Sequence, residues 1–136
     1  DFFIYGNDYN TTDGTCIRDY VHVSDVADAH ILADQYMQTP YTNQPRTFNL
    51  GTGKGHSVLE VINTAVTELN IPIIYLLKQR RDGDPSRLVA NCDLAKRYLN
   101  FKPKHNLKFI LRTKGMMPFT FGMPFLKLEK KLASSL

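Results

Sequence analysis

Arg80, Arg81, Asp82, Gly83 and Asp84 set two guanidinium groups and two carboxylates around one glycine. Guanidinium forks match phosphate oxygens two at a time, and a carboxylate accepts hydrogen bonds from ribose hydroxyls. Arg18 follows a turn and precedes an apolar stretch, adding a third fork of the same kind. Each of these groups alone reads as a solvated surface charge. Their joint pattern points to a ligand that carries phosphate and ribose.

Other chemistry-bearing spacings read as structure. Gly51-Thr52-Gly53-Lys54-Gly55 lies between a strand pattern and a helix pattern, the arrangement that cradles phosphates. Its spacing is G-x-G-x-G, however, and the next strand ends at Leu77-Lys78, where a dinucleotide site wants an acid for the ribose. Lys54 is followed by Gly55, so it is no P-loop either. The run is expected to be a tight turn that lets helix and strand close on each other. Tyr98 and Lys102 share the Y-x-x-x-K spacing of a tyrosine base, but Pro103 disfavours helical geometry at Lys102. Tyr98 is expected to pack with Leu94 instead. His22, His30, His56 and His105 show no metal-ligand spacing, and His30, among alanines, reads as a packed histidine. No nucleophile elbow is present.

The elements that must hold these groups alternate. Residues 2–6 read as a strand closed by glycine, residues 7–14 as a turn-rich loop, and residues 18–23 as a second strand. Ser24 is the expected N-cap of a helix with Asp25 and Asp28 in its first turn, closed by Pro40. Residues 46–50 form a third strand. Ser57 and Glu60 make a capping box for a helix over 58–69, with Leu59, Ile62, Val66 and Leu69 on one face. Residues 71–77 are β-rich, and short helices fit 94–99 and 107–114. Strands alternating with helices predict an α/β fold with parallel pairing.

Composition bounds the rest. The 136 residues are 43% hydrophobic and 22% charged, enough for a core and against global disorder. The longest apolar run outside the tail, 71–77, falls far short of the ~20 residues of a membrane span. The N-terminal Asp1-Phe2-Phe3 reads as neither a signal peptide nor a natural start. Two cysteines, Cys16 and Cys92, make no disulfide scaffold and favour a reducing, cytoplasmic setting. Residues 1–101 hold nine Lys/Arg against twelve Asp/Glu, whereas 102–136 hold eight against one. The net charge of +4 therefore belongs to the tail, which speaks against a nucleic-acid-binding folded part.

Several stretches together resemble the UDP-glucose 4-epimerases of the extended short-chain dehydrogenase superfamily. They are Asp8-Tyr9, Asp13-Gly14-Thr15, Arg18-Asp19-Tyr20-Val21-His22-Val23, Asp25-Val26-Ala27 with His30, Phe48-Asn49-Leu50-Gly51-Thr52-Gly53 with Ser57-Val58, and Arg80-Arg81-Asp82-Gly83-Asp84-Pro85 with Ala90. Order and spacing agree over residues 1–113. The resemblance implies the last strand of a Rossmann-type sheet plus a small mixed substrate-binding lobe. It implies that Phe3, Ile4 and Tyr5 line a uracil site. Arg18 and Arg81 would grip the pyrophosphate. Asp84 would take ribose hydroxyls, with Asp82 and Gly83 shaping the loop and Leu88 beside the hexose. UDP-glucose and UDP-galactose would be the ligands, with no nucleic acid and no membrane. Such a clamp on the diphosphate lets the hexose turn over between hydride removal and return.

The same resemblance marks what this chain does not carry. The family holds NAD permanently, but its glycine fingerprint, catalytic Ser and Tyr-x-x-x-Lys all lie upstream of the matching part. The chain is therefore expected to contribute no catalytic, cofactor-binding or metal-binding residue. It should neither hold NAD tightly nor epimerise alone. Phe101 stands where the family commonly has Trp. Residues 114–136 match nothing in the family and form a divergent basic tail. A truncated or frame-altered gene and an interaction tail both explain it. Partners consistent with a partial fold are a second copy of the chain or a separate N-terminal half. Two rival readings remain at this stage, a neighbouring nucleotide-sugar dehydratase or decarboxylase and a non-catalytic interaction protein acting through its basic tail.

Overall fold

A computed structural model describes residues 2–38, 45–113 and 125–127 of the chain. In chain order the elements are β1 (Phe2–Tyr5), β2 (Ile17–Asp19), α1 (Val23–Met37), β3 (Thr47–Asn49), β4 (Gly55–Ser57), α2 (Val58–Leu69), β5 (Tyr75–Lys78), β6 (Arg87–Leu88), α3 (Asp93–Leu99), α4 (Leu107–Thr113) and β7 (Phe125–Lys127). The expected α/β alternation is present. β1 pairs β5 in parallel. β2 lies between antiparallel β4 and parallel β6. β3 pairs antiparallel with β7.

The core forms where small residues let helices approach a strand. Ala29 and Ala33 on α1 meet Ala95 and Leu99 on α3, Phe48 and Leu50 of the β3 segment, and Phe101. Tyr36 and Tyr98 lie against this cluster, and the Tyr36 ring meets the Phe48 ring edge-on at 5.6 Å.

α1 begins two residues earlier than its serine suggests. His22 is the N-cap, and its Nδ1 accepts from the Ser24 amide at 3.1 Å. An imidazole thus fills the place of the usual capping oxygen. Asp25, 1% exposed, does more than favour the helix dipole. It accepts from the Lys104 and His105 amides, each at 3.2 Å, and pairs with His105 Nδ1 at 2.8 Å. The His105 ring stacks on Phe109 at 4.3 Å, which fastens the start of α4 to α1. At the far side, Glu68 of α2 takes Lys108 at 2.9 Å and Arg112 at 2.5 Å from α4.

Other boundaries correct the sequence reading. The strand expected over 18–23 leaves its ladder after Asp19, whose carboxylate turns towards the glycine run. The strand expected over 71–77 forms only at Tyr75–Lys78. Pro72 has no amide to donate and delays entry into the ladder. His30 is not packed: it is exposed, with Nδ1 on the Val26 carbonyl oxygen of its own helix at 2.7 Å. Pro40 lies outside the described residues. β4 and β6, three and two residues long, carry too little alternation to be read from sequence.

α2 is capped as expected on one side only. Ser57 Oγ accepts from the Glu60 amide at 3.0 Å, but Glu60 pairs with His56 at 2.7 Å rather than reaching back. Ser57 Oγ in turn donates to Asp13, which also accepts from the Thr15 amide at 2.9 Å and the Thr15 hydroxyl at 2.8 Å. Burial pushes the Asp13 carboxyl up, and the hydrogen bonds from Ser57 and Thr15 overcome it, leaving its pKa below the ordinary 3.8. A carboxylate with a depressed native pKa contributes stability above its unfolded pKa and loses it as pH falls through the native one. The urea midpoint should therefore fall below about pH 4, and Asp13→Asn should flatten that acid limb. Parallel acid limbs for the two proteins would contradict the assignment.

Candidate functional site

β1 alternates its side chains. Ile4, 2% exposed, points into the protein, while Phe3 and Tyr5 share the opposite, half-buried face with ring centroids 6.5 Å apart. Two cations cover that face. Lys78, in register with Tyr5 on parallel β5, holds its Nζ 3.6 Å from the Phe3 ring centroid. The Arg81 guanidinium lies 4.1 Å from the Tyr5 centroid. Both cations lie against the aromatic rings as cation–π contacts, which gather positive charge on this face.

The chain then turns at Gly6, whose φ is +85°. A Cβ there would lie 2.5 Å from the Tyr9 ring and 2.8 Å from Arg80 Cβ, so only glycine fits. The turn seats Arg80 on Asp8, Nη2 to Oδ2 at 2.5 Å and Nε to Oδ1 at 3.1 Å, with its guanidinium 4.8 Å from the Tyr9 ring centroid. Of the two adjacent arginines, Arg80 ties loop to loop. Arg81 forms no ion pair among the described residues and lies over the Tyr5 ring.

Arg18 is held from three directions. Its Nη1 donates to the carbonyl oxygens of Ile17 at 2.7 Å and Pro85 at 2.9 Å, and its Nη2 meets Asp84 Oδ1 at 2.5 Å. The side chain is only 12% exposed, against 30% for Asp84. Gly83, at φ +76°, turns the loop back so that the Asp84 amide reaches the Arg81 carbonyl oxygen at 3.3 Å. Leu88 of β6 lies beside Arg18 in parallel register and is half-buried. One loop, 81–84, thus joins the Tyr5–Arg81 contact to the Arg18–Asp84 pair. Of the residues singled out by sequence, Phe3, Tyr5, Arg18, Arg81, Asp84 and Leu88 converge here. Ile4 faces away, and Asp82 stands exposed on the turn. Lys78 was missed by sequence reading, because only the β1–β5 register reveals that it covers the aromatic face.

The glycine run is a turn around an internal anion. The Asp19 carboxylate, 8% exposed, accepts from the Thr52 amide at 2.9 Å, Thr52 Oγ1 at 2.5 Å, the Gly53 amide at 2.9 Å and the Ala90 amide at 3.3 Å. The donors that a phosphate would claim are already taken. The Y-x-x-x-K spacing is equally structural. α3 ends at Leu99, Asn100 takes the left-handed conformation at φ 54°, and Lys102 lies beyond the helix. Tyr98 packs edge-on against Tyr36. Burial pushes the Cys16 thiol up and the Cys92 thiol up to about 11, so neither is a thiolate nucleophile at neutral pH. Among the described residues no group of three or more His, Cys, Asp or Glu could hold a metal ion.

Comparison with known proteins places this geometry. The NAD dependent epimerase/dehydratase family model matches residues 3–51, so the chain is similar to that family over this stretch. Within it, the likeness is to the C-terminal third of the UDP-glucose 4-epimerases. The enzyme of that name from Mycoplasma pneumoniae is 49% identical over 111 residues, covering 81% of this chain and 33% of the relative. The crystal structure of the Stenotrophomonas maltophila UDP-glucose 4-epimerase, with bound NAD and formylated UDP-arabinopyranose, superposes with a TM-score of 0.74 at 41% identity. That match covers 82% of this chain and 33% of the other. The Bifidobacterium longum enzyme, in complex with NAD+ and UDP, gives 0.72 at 37% identity over 80% of this chain and 32% of the other. The chain thus spans about a third of the length of the relatives it matches. The fold is the expected part of a Rossmann-type enzyme. In this chain the Thr52 and Gly53 turn amides close on Asp19.

Proposed function

We propose that this chain is the UDP-sugar-anchoring portion of a UDP-glucose 4-epimerase. In this reading the ligand's uracil lies against Phe3 and Tyr5, with Ile4 offering only backbone groups, since its side chain is buried. Arg18 and Arg81 clamp the diphosphate. Asp84 accepts from the ribose hydroxyls, with Asp82 and Gly83 setting the loop, and Leu88 borders the hexose. The observation that carries the reading is the loop 81–84, which brings the Arg81 fork, unpaired with any carboxylate among the described residues, within one turn of the Arg18–Asp84 pair.

Interconversion of UDP-glucose and UDP-galactose needs a redox cofactor and a base at the sugar, and this chain supplies neither. Its residues bind and orient the nucleotide, holding it while the sugar is free to turn. Alone, the chain neither retains NAD nor epimerises. A separate chain carrying the remaining two-thirds of the fold would complete the site, and a homodimer is the alternative assembly. We assign residues 1–113 to the UDP-sugar-binding portion and 114–136 to an appended basic tail, of which β7 lies along β3. The two free, buried cysteines fit a reducing cytoplasm. No helix among the described residues is long and apolar enough to cross a membrane.

Thermal unfolding of the purified chain with and without millimolar UDP tests the reading. A ligand that binds only the native state raises the transition, by an amount that grows with its concentration over Kd. An upward shift with UDP that uridine does not reproduce is the expected result. A cooperative transition indifferent to UDP would overturn the anchoring role.

A further inference from the structure

Two aspartates of the chain are followed directly by glycine, in Asp13–Gly14 and Asp82–Gly83. Glycine puts no side chain between its own amide nitrogen and the carboxyl of the aspartate before it, and its backbone turns freely. The fold treats the two pairs in opposite ways. The Asp13 carboxylate accepts from the Thr15 amide at 2.9 Å, the Thr15 hydroxyl at 2.8 Å and the Ser57 hydroxyl. Gly14 is packed so closely that a Cβ would lie 2.2 Å from the Asn7 carbonyl oxygen, and its own carbonyl oxygen accepts from the Tyr9 amide at 2.9 Å. Asp82 and Gly83, by contrast, are both exposed. The Asp82 carboxylate and the Gly83 amide have no hydrogen-bond partner among the described residues. Nothing lies within 4 Å of the place a Gly83 Cβ would take. One hydrogen bond closes the turn around them, from the Asp84 amide to the Arg81 carbonyl oxygen at a long 3.3 Å.

We propose that Asp82–Gly83 is a site of spontaneous covalent modification, isomerising to an isoaspartyl linkage in the folded chain while Asp13–Gly14 stays intact. The Gly83 nitrogen bonds to Cγ of Asp82. The hydroxyl of the protonated carboxyl leaves with the proton of that nitrogen as water, and a succinimide ring remains. Water then adds back. Opening at Cγ restores aspartate. Opening at the main-chain carbonyl carbon of Asp82 carries the chain through Cβ and Cγ and leaves that carbonyl as a free carboxylate. The water released is the water returned, so mass is unchanged and no oxidant, reductant or other co-reactant enters. Ring closure requires the Asp82–Gly83 peptide to rotate until its nitrogen faces Cγ. An exposed glycine turn with open space around it permits that rotation, whereas the bonds on Asp13 and the packing of Gly14 oppose it. Asp84 cannot react in the same way, because Pro85 has no amide proton to lose. The extra main-chain carbon lengthens the path from Arg81 to Asp84 by about 1.5 Å, which shifts Arg81 relative to the Arg18–Asp84 pair. The proposal does not depend on nucleotide binding, since the chemistry uses only the turn and water.

Peptide mapping of the full chain, aged at neutral pH and body temperature, tests this. Cleavage after lysine places the two pairs in separate peptides, residues 1–54 and 79–96, and electron-transfer fragmentation tells isoaspartate from aspartate at equal mass. Isoaspartate should accumulate at position 82 at least about tenfold faster than at position 13, because reaction at Asp13 must wait for local opening of the fold. Ageing in guanidinium chloride should bring the two rates together, which assigns the difference to the fold rather than to neighbouring residues. Asp82→Glu should leave that position unmodified, since the longer side chain would have to close a larger, slower-forming ring. Equal rates at the two positions in the folded chain overturn the proposal. So does a rate at position 82 far below its value in guanidinium chloride, which would show that the turn protects the bond. UDP is absent throughout, so this result and the nucleotide-anchoring test fail independently.

Discussion

Asp19→Ala should lower the unfolding free energy by about 3 kcal/mol or more. One carboxylate serves four donors from two separate segments, Thr52–Gly53 and Ala90. Its removal leaves three backbone amides without an acceptor. Hydrogen bonds to an ionised acceptor contribute roughly 1.5–3 kcal/mol each, and a buried donor left unpaired costs about 1–3 kcal/mol. Water entering the vacated space recovers part of that sum, so the estimate stays near its lower end. Asp19→Asn should also destabilise, because its NH2 would face two donors on the side where Oδ2 now accepts. Gly51→Ala tests the same packing from outside, since its Cβ would sit 2.5 Å from Asp19 Oδ2 and 2.7 Å from Ala90 Cβ. The urea midpoint should drop in all three variants with little change in slope. A loss below 1 kcal/mol in Asp19→Ala would show that the turn holds itself without the carboxylate.

This network also shows why the glycine run tempts a cofactor reading. A strand, a glycine turn and a capped helix are present, as a phosphate site requires. The G-x-G-x-G spacing argues against it from sequence alone. What sequence does not show is that Asp19, thirty-odd positions earlier, supplies the anion. That pairing depends on β2 and the β3–β4 turn becoming neighbours, a non-local fact with no periodic signature.

Local rules made much of the fold legible. The α2 span follows from Ser57, the apolar spacing behind it and the chain break at left-handed Asn70. α3 and α4 follow from similar signals. The rules failed where tertiary contacts set the geometry. His22 replaces Ser24 as cap because its ring also reaches Thr113 at 2.9 Å and lies 4.5 Å from His105, holding the imidazole at the helix start. His30 was misread because spacing alone cannot tell which side of α1 meets α3. The arginines of the site were found through their joint pattern, but their division of labour was not. Arg80 and Arg81 are identical in sequence terms, and only the Asp8 contact separates the structural one from the free one.

That division makes the last prediction diagnostic. Arg81→Ala should remove the UDP-induced rise in unfolding temperature while leaving the unliganded transition in place. Arg81 is exposed, its guanidinium lies over the Tyr5 ring and it makes no ion pair among the described residues, so the substitution is expected to cost the unliganded fold little. Arg18→Ala should remove the UDP response and also destabilise the unliganded chain by roughly 1–2 kcal/mol, since Asp84 and the Pro85 carbonyl oxygen lose their partner. The 30% exposure of Asp84 keeps that cost modest. Arg18→Lys separates charge from shape. An ammonium keeps the charge but cannot span Asp84, Pro85 and a phosphate together, so UDP affinity should fall about tenfold, near 1.4 kcal/mol. Calorimetric titration of UDP into the three variants, beside their unliganded melts, reads both quantities. The decisive case is Arg81→Ala. Full UDP affinity in that variant would remove the diphosphate clamp from the loop 81–84 and leave Arg18 with a purely structural bond to Asp84.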